Sequence, residues 1–237
     1  MDGILIINKS AGPTSHDVVD CVRKVTGIRK VGHAGTLDPF AEGILIILIG
    51  KATKSQSKFM EMDKTYVGTL KLGEISDTYD ITGVKSKTQN PRLRQGFSGQ
   101  AKFKIDEKKI LKILKSFIGE IKQVPPIYSA IKIKGETAYK LARRGIKPKL
   151  KPKKIKIYSI KILNYKWPFL KIEVKCGKGT YVRSLAHDIG KKLGCGAYLE
   201  KLTRTAVGRY NIKKSIKLNE LNPKNLPKQI IPVSIDK

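Results

Sequence analysis

The amino-acid sequence predicts an α+β fold in which helices flank a mixed, mostly antiparallel central sheet. Segments with strand-like alternation and segments with helical periodicity follow one another irregularly, not as repeated strand–helix units. Several strand segments alternate apolar and polar residues, which is typical of antiparallel strands with one buried face. The chain has 237 residues, 40% of them hydrophobic, enough for a sizeable core. Because neither a repeat nor a domain boundary is visible, we expect a single domain over residues 1–237.

The N-terminal region contains two predicted strands and two predicted helices. The apolar run GILIIN at residues 3–8 is typical of a short buried strand. In the helix that follows, Thr14 can cap the N-terminus and Asp17 lies where its side chain can reach back. Gly27 ends this helix. The next predicted elements are a loop over residues 32–43, a strand over 44–49 and a helix over about 52–61.

The middle of the chain combines one clear strand, one irregular segment and one clear helix. KTYVGTLKLG alternates, so that Tyr66, Leu70 and Leu72 face the same side of a strand. Residues 86–104 are polar, basic and without periodicity, and we interpret them as an inserted mobile loop. The helix that follows ends at Gly119. Its predicted buried face consists of Ile110, Leu111, Leu114, Phe117 and Ile118.

The C-terminal half predicts three further strands and two helices. ETAYKLARRG is a short helix after a turn and strand, and a change of phase near Tyr158 and Ser159 indicates a bulge in the next strand. LKIEVKC alternates as a half-buried antiparallel strand. After GKGT comes a helix with Arg183 in its first turn, at the edge of the apolar face. That face consists of Val182, Leu185, Ala186, Ile189 and Leu193.

Charge is the strongest signal in the composition. The 49 Lys and Arg residues outnumber the 19 Asp and Glu residues, which gives a formal net charge of +30. Such a surplus favours a polyanionic partner, because each cation placed on a phosphate releases a counterion. Nucleic acid is therefore the expected partner, and a lysine-rich surface without such a partner is the alternative.

The cysteines and histidines predict neither a metal site nor a disulfide framework. The three Cys and three His residues are widely spread, and no C-x-x-C pair occurs. The segment MDGILIINKS does not resemble a signal peptide, and no stretch approaches the roughly 20 apolar residues of a membrane span. We therefore expect a cytoplasmic protein that binds no metal.

A single carboxylate, Asp38, lies in the glycine-punctuated segment GHAGTLDPFAEG. Pro39 disfavours helical backbone at Asp38, and the glycines Gly35 and Gly43 permit tight turns. A carboxylate on such a loop can act as a nucleophile, a base or a metal ligand, or can merely shape its own turn. Without a metal it needs a cation to stay ionised in an apolar cleft, and Arg183 is the candidate.

GHAGTLDPFAEG resembles the signature loop of the bacterial tRNA pseudouridine-55 synthases, the TruB-type family. Four further segments resemble segments of this family and occur in the family's order. They are INKSAGPTSHDVV, KTYVGTLKLG, PPIYSAIKIKGETAYKLARRG and CGKGTYVRSLAHDIGKKLGCGAYLEKLTRTAVG. Together they cover most of residues 3–210. The resemblance implies a pseudouridine-synthase-like fold with one catalytic domain. Ala11 departs from the family's usual Pro, and the family's small C-terminal RNA-binding domain, of the PUA type, is expected to be missing.

The resemblance also implies a role for each matching residue. Asp38 would be the catalytic carboxylate, Arg183 its ion-pair partner, and Tyr66 would stack on the target uracil. The other implied substrate contacts are Tyr181, Leu202 and His33, together with Tyr128, Ser129 and Lys132 of an RNA-gripping segment over residues 123–150.

The implied reaction isomerises a flipped-out uridine in the tRNA T-loop to pseudouridine. The N1–C1′ bond breaks and C5 then bonds to C1′, with no redox step, so no cofactor is expected. Flipping the base costs roughly a few kcal/mol, and stacking on Tyr66 can recover about 1–3 kcal/mol. Asp38 can add to C1′, add to C6 or remove a sugar proton, and Tyr66 or Asp38 can take the final proton from C5.

Three other functions fit part of these observations. One is a catalytically silent RNA-binding or tRNA-chaperone protein, another is a base-excising DNA glycosylase, and the third is a guide-RNA-dependent pseudouridine synthase with protein partners. The presence of Asp38, Tyr66 and Arg183 disfavours the silent binding protein, and the expected lack of the C-terminal domain disfavours the guide-dependent enzyme. We favour the tRNA enzyme, which is expected to be a monomer without an obligate protein partner.

Overall fold

The computed structural model describes residues 1–88, 105–133, 135–146 and 148–233, and it confirms the α+β class with a mixed, mostly antiparallel sheet. Most of the predicted loop over residues 86–104 lies outside the described residues. The chain divides into two compact units. The first unit comprises Met1–Val67 with Leu202–Lys237, and the second comprises Gly68–Lys201. No helix within the described ranges is both long enough and apolar enough to cross a membrane.

The helices and strands follow one another irregularly along the chain. In chain order they are β1 (Gly3–Lys9), α1 (Ser15–Thr26), β2 (Val31–Ala34), β3 (Glu42–Ile49), α2 (Gln56–Glu61), β4 (Lys64–Leu72), β5 (Glu74–Ser76), β6 (Lys85–Lys87), α3 (Glu107–Lys115), β7 (Gly119–Gln123), β8 (Lys132–Ile133), β9 (Glu136–Thr137), α4 (Ala138–Arg143), β10 (Lys153–Lys166), β11 (Phe169–Cys176), α5 (Val182–Leu193), β12 (Ala197–Val207), β13 (Tyr210–Asn211), β14 (Ile216–Lys217) and α6 (Leu226–Gln229). Short 3-10 helices cover Gly50–Ser55, Ile212–Lys214 and Leu218–Glu220.

In the first unit, β3 is paired on both sides. It runs antiparallel to β1, from Gly3 opposite Ile49 to Lys9 opposite Gly43, and antiparallel to β2. Its first residues pair parallel with β12, where Arg204 lies opposite Gly43. Every residue over 44–49 is at most 1% exposed. Burial on both faces explains why this strand is continuously apolar in the sequence and does not alternate.

Helix α1 begins and ends where the sequence predicts. The Asp17 N–H donates to Thr14 Oγ1 at 3.1 Å, and the Thr14 N–H donates to Asp17 Oδ2 at 2.7 Å, which completes a capping box. Gly27 ends the helix with φ of 69°, a left-handed conformation that glycine adopts without strain. This helix packs Val18, Val19 and Val22 into the core.

Three sequence predictions need correction. The expected loop over 32–43 begins as a strand, because β2 pairs with the apolar end of β3. The helix expected over about 52–61 starts with 3-10 geometry over Gly50–Ser55 before α2. In the face predicted to be buried, Leu111 of α3 is 42% exposed, because the helix buries a narrower face than the periodicity suggests. Ile118 is 43% exposed and lies beyond the helix, which ends at Lys115 and not at Gly119.

In the second unit, β10 and β11 form a long antiparallel hairpin. Its register shifts between Ile157 and Ser159, which confirms the predicted bulge. The alternating residues of β11 face the core as predicted, with Leu170, Ile172 and Val174 fully buried. Helix α5 also buries the predicted apolar face.

Candidate active site

The loop that carries Asp38 is fixed to the rest of the first unit on both sides of that residue. The Leu37 N–H donates to Ser15 Oγ at 2.9 Å, and Ser15 Oγ donates to the Leu37 carbonyl at 3.1 Å. The Gly12 N–H donates to the Pro39 carbonyl at 2.8 Å. Asp38 itself is half-buried. A half-buried carboxylate therefore lies on a loop whose neighbouring residues are held by the start of α1 and the turn before it.

Arg204 of β12 is a second support for this loop, and it is 1% exposed. Its Nη2 donates to the Gly35 carbonyl at 2.9 Å, and its Nε donates to the Ile44 carbonyl at 2.7 Å. A longer contact of 3.5 Å runs from Nη1 to the Thr36 carbonyl. One guanidinium thus joins the two ends of the segment that contains Asp38.

Lys9 adds a buried cation next to the same loop. Its Nζ donates to the Ser10 carbonyl at 2.8 Å and to the Pro39 carbonyl at 3.2 Å, and the residue is fully buried. Burial lowers the pKa of Lys9, while the nearby carboxylates Asp38 and Glu42 oppose that shift. The positive charge of the Lys9 ammonium therefore stabilises the ionised form of the Asp38 carboxylate.

The other predicted residues of the first unit lie on its strands. His33 is in β2, Tyr66 in β4 and Leu202 in β12. Tyr66 is 9% and Leu202 6% exposed. Burial first, and the charge of Arg204 second, lower the pKa of His33. At neutral pH His33 is therefore a neutral imidazole, which suits hydrogen bonding better than phosphate neutralisation.

In the second unit, Arg183 is held by a buried ion pair. Its Nη1 donates to Asp80 Oδ2 at 3.0 Å, and the two side chains are 6% and 3% exposed. Asp80 Oδ1 accepts from the Thr78 hydroxyl at 2.7 Å, and from the Thr82 hydroxyl at 2.5 Å and N–H at 2.9 Å. With both carboxylate oxygens hydrogen-bonded, Asp80 compensates for the burial of the guanidinium and fixes its position.

The start of α5, which precedes Arg183, is also fixed. Gln123 of β7 accepts from the Tyr181 N–H with Oε1 at 2.9 Å and donates with Nε2 to the Tyr181 carbonyl at 3.1 Å. Ser184 Oγ donates to the Val124 carbonyl at 2.8 Å. These bonds set the position of the first turn of α5, from which Arg183 projects.

The predicted RNA-gripping residues differ in their environments. The Tyr128 carbonyl accepts from Arg183 Nη2 at 2.9 Å, so this segment and the arginine are in direct contact. Ser129 is 5% exposed, and its carbonyl accepts from the Tyr139 N–H at 3.1 Å. Lys132 is exposed in β8, where it pairs with Thr137 of β9.

The turn that contains Asp80 is joined to α5 by a ring stack as well. Tyr79 has φ of 64°, and its ring stacks on His187 with centroids 4.0 Å apart. The Leu199 N–H donates to the Tyr79 carbonyl at 2.9 Å. A left-handed residue other than glycine is strained, and the stack and this hydrogen bond oppose that strain.

The burial of His33 and His187 predicts that the free energy of unfolding falls in mild acid. Burial lowers the pKa of His33 and of His187, from an ordinary value of 6.5. Below that value the unfolded chain binds more protons than the folded chain, so the free energy of unfolding decreases as pH falls through the folded-state pKa values. Urea unfolding should show lower stability at about pH 5.5 than at about pH 7. The variant His187→Asn should show a shallower slope, and a wild-type slope in this variant would contradict the role of His187.

The comparisons with known proteins decide the family. A model described as the N-terminal domain of the TruB family pseudouridylate synthases matches residues 23–182. The chain belongs to the TruB family of pseudouridylate synthases. A model for the tRNA pseudouridylate synthase B C-terminal domain matches residues 183–229 of this family member. The resemblance predicted from the five sequence segments is therefore confirmed.

Relatives of this TruB family member are similar over nearly the whole chain. A protein of Clostridium acetobutylicum named tRNA pseudouridine synthase B is 49% identical over 233 residues, which are 98% of this chain and 76% of the relative. One of the same name from Prochlorococcus marinus is 49% identical over 94% of this chain and 68% of the relative. A solved Cbf5–Nop10–Gar1 complex contains a chain with 30% identity and a TM-score of 0.69 over 92% of this chain. Our chain spans about half, 53%, of that structure's chain.

Asp38 and Arg183 can be recognised in the sequence, but the residues that hold them in place cannot. Arg204, Lys9 and Gln123 lie in or beside the segments that resemble the family. Nothing in a single sequence, however, distinguishes them from surface Lys, Arg or Gln. Asp80 gave a usable signal, since it lies in the acidic and threonine-rich segment ISDTYDITG of a very basic chain.

Proposed function

We propose that this protein isomerises uridine 55, in the T-loop of tRNA, to pseudouridine. The observation that carries the proposal is the family membership over nearly the full chain, shared with relatives named tRNA pseudouridine synthase B. The two relatives so named are each 49% identical to this chain, whereas the chain in a solved H/ACA ribonucleoprotein bound to a substrate RNA is 28% identical. This difference favours a tRNA enzyme over a guide-RNA-dependent one.

In this reaction Asp38 is the essential carboxylate and Arg183 is its ion-pair partner. Within the first unit, the loop of Asp38 is held by Ser15, Lys9 and Arg204. Within the second unit, the guanidinium of Arg183 is buried and fixed by Asp80, which supports its proposed role. An arginine paired with Asp38 keeps that carboxylate ionised, and a carboxylate held by its own loop reorganises little during the reaction.

The bond changes need a carboxylate and a base but no electron acceptor. The N1–C1′ bond breaks, the C5–C1′ bond forms, C5 loses its proton and N1 gains one. Tyr66 is proposed to stack on the flipped uracil, and Tyr181 and Leu202 to line the pocket. His33, as a neutral imidazole, is proposed to hydrogen-bond the displaced T-loop, and Tyr128, Ser129 and Lys132 to contact the tRNA.

The proposed working form is a monomer in the cytoplasm that needs no protein partner. The net charge of +30 supports direct binding of tRNA, because the excess cations neutralise phosphates without a second subunit. Phosphate contacts position the substrate but read no sequence. Selection of uridine 55 is therefore assigned to the pocket and to the fold of the T-loop.

Tritium release from tRNA tests this function. A transcript labelled with tritium at C5 of its uridines should lose about one equivalent of tritium per tRNA, because forming the C5–C1′ bond expels that hydrogen. A transcript with cytidine at position 55 is the matched control and should lose none. Tight tRNA binding without release would support the silent RNA-binding alternative. Release that requires an added RNA or protein would support the guide-dependent one.

Electrostatic binding also predicts a steep salt dependence. If six to ten phosphates are contacted, the tRNA association constant should fall by about 10³–10⁵ between 50 and 200 mM salt. Filter binding at several salt concentrations measures the slope. A flat response would contradict the assignment of the positive charge to tRNA binding.

A further inference from the structure

We propose that Arg204 is a positioning residue for the reaction, because its guanidinium holds the Asp38 loop in its working conformation. This inference rests on the proposed function of Asp38. Arg204 takes no direct part in the bond changes. It acts through the backbone of the loop, and its partners are carbonyl oxygens on both sides of the carboxylate.

The three donor nitrogens of Arg204 contact carbonyls at the two ends of the segment over residues 35–44, which contains Asp38. Nη2 donates to the Gly35 carbonyl and Nη1 approaches the Thr36 carbonyl, both before Asp38 in the chain. Nε donates to the Ile44 carbonyl, after Asp38. Between these attachment points, Leu37 is held by Ser15 of α1 and Pro39 by Gly12 of the preceding turn. The loop is thus fixed at its ends by one side chain and near its centre by others.

The guanidinium is suited to this role because it is planar, permanently charged and carries several donors in a fixed fork. In the described part of the chain, Arg204 makes its polar contacts with backbone carbonyls and forms no salt bridge. A cation that is 1% exposed must be solvated by polar groups of the protein, so the loop carbonyls and the guanidinium stabilise each other. A lysine has one ammonium and cannot reach carbonyls this far apart in the same geometry.

The backbone at Arg204 is tied to the loop as closely as the side chain. Gly43 has φ of 103°, and a Cβ added there would lie 2.2 Å from the Arg204 carbonyl oxygen. Only glycine permits this approach, which brings β12 against the end of the loop. The position of the guanidinium is therefore set by strand pairing, so it provides a rigid reference for Asp38.

The variant Arg204→Lys tests this role, since it keeps charge and most of the volume. We expect kcat for tRNA to fall about 10²-fold, because a displacement of about 1 Å at a catalytic group has that effect. The Kd for tRNA should stay within about threefold, or about 0.7 kcal/mol. Amide exchange at Leu37 and Ala41, whose N–H groups bond to Ser15 and Asp38, should accelerate while exchange in β1 is unchanged. Arg209→Lys, at an exposed site just beyond β12, is the matched control and should leave all three quantities unchanged.

Two results would overturn the proposal. One is Arg204→Lys with wild-type kcat and wild-type exchange at Leu37 and Ala41. The other is a parallel loss of tRNA affinity, kcat and thermal stability, which would make Arg204 a general structural residue. If the wild-type protein itself released no tritium from tRNA, the proposed function would fail. The exchange measurement would still decide whether Arg204 orders the loop.

Discussion

Asp38→Asn should reduce pseudouridine formation by at least about 10³-fold while tRNA binding stays within about tenfold. The amide has nearly the shape of the carboxylate, so the supported loop keeps its conformation. It loses the negative charge that every proposed role of Asp38 requires, whether the oxygen adds to carbon or removes a proton. Single-turnover tritium release and filter binding on the same preparation separate the two effects.

Glu42→Gln is the matched control, because Glu42 is an exposed acid at the end of the same loop. It should retain turnover. The double variant Asp38→Asn with Arg183→Met should be no slower than Asp38→Asn alone, since residues that act as one unit are not additive. Turnover retained by Asp38→Asn would remove this carboxylate from the mechanism, and strict additivity with Arg183 would contradict the proposed ion pair.

Asp80→Ala should lower the free energy of unfolding by roughly 3–5 kcal/mol, the typical effect of removing one partner from a buried ion pair. Asp80 is 2% exposed, and its loss leaves the Arg183 guanidinium without this carboxylate. It also removes the carboxylate oxygen that accepts from the hydroxyls of Thr78 and Thr82. Urea unfolding monitored by circular dichroism measures the change.

Asp77→Ala in the same turn is the control for this prediction. Asp77 is exposed and accepts one hydrogen bond, from the Val84 N–H at 2.8 Å, so its removal should cost only about 1 kcal/mol. The double variant Asp80→Ala with Arg183→Met should be more stable than Asp80→Ala alone, because it no longer buries the unbalanced charge. Equal effects of Asp77→Ala and Asp80→Ala would contradict the stabilising role of the ion pair.

The sequence predicts those parts of the fold that depend on local patterns. The capping box of Thr14 and Asp17, the stop at Gly27 and the bulge near Ser159 all follow from neighbouring residues, and the structure confirms them. Strand β2 escaped prediction because its four residues have no periodicity of their own and are extended only through pairing with β3.

The candidate site shows the same division between local and distant information. Asp38 is recognisable because Gly35, Pro39 and Gly43 surround it in the sequence. Arg204 supports the same loop from 169 residues away at Gly35 and 160 at Ile44, and no pattern in one chain connects such positions. The pairing of Asp80 with Arg183 spans 103 residues and was likewise outside the reach of spacing arguments.

Chemical mapping of pseudouridine in a tRNA transcript, after incubation with the purified protein alone, tests the central claim most directly. Carbodiimide labelling stops reverse transcription next to each pseudouridine and so identifies the position. We expect a new stop at uridine 55 with the wild-type protein and none with Asp38→Asn. A wild-type protein that binds the transcript but leaves uridine 55 unmodified would contradict it.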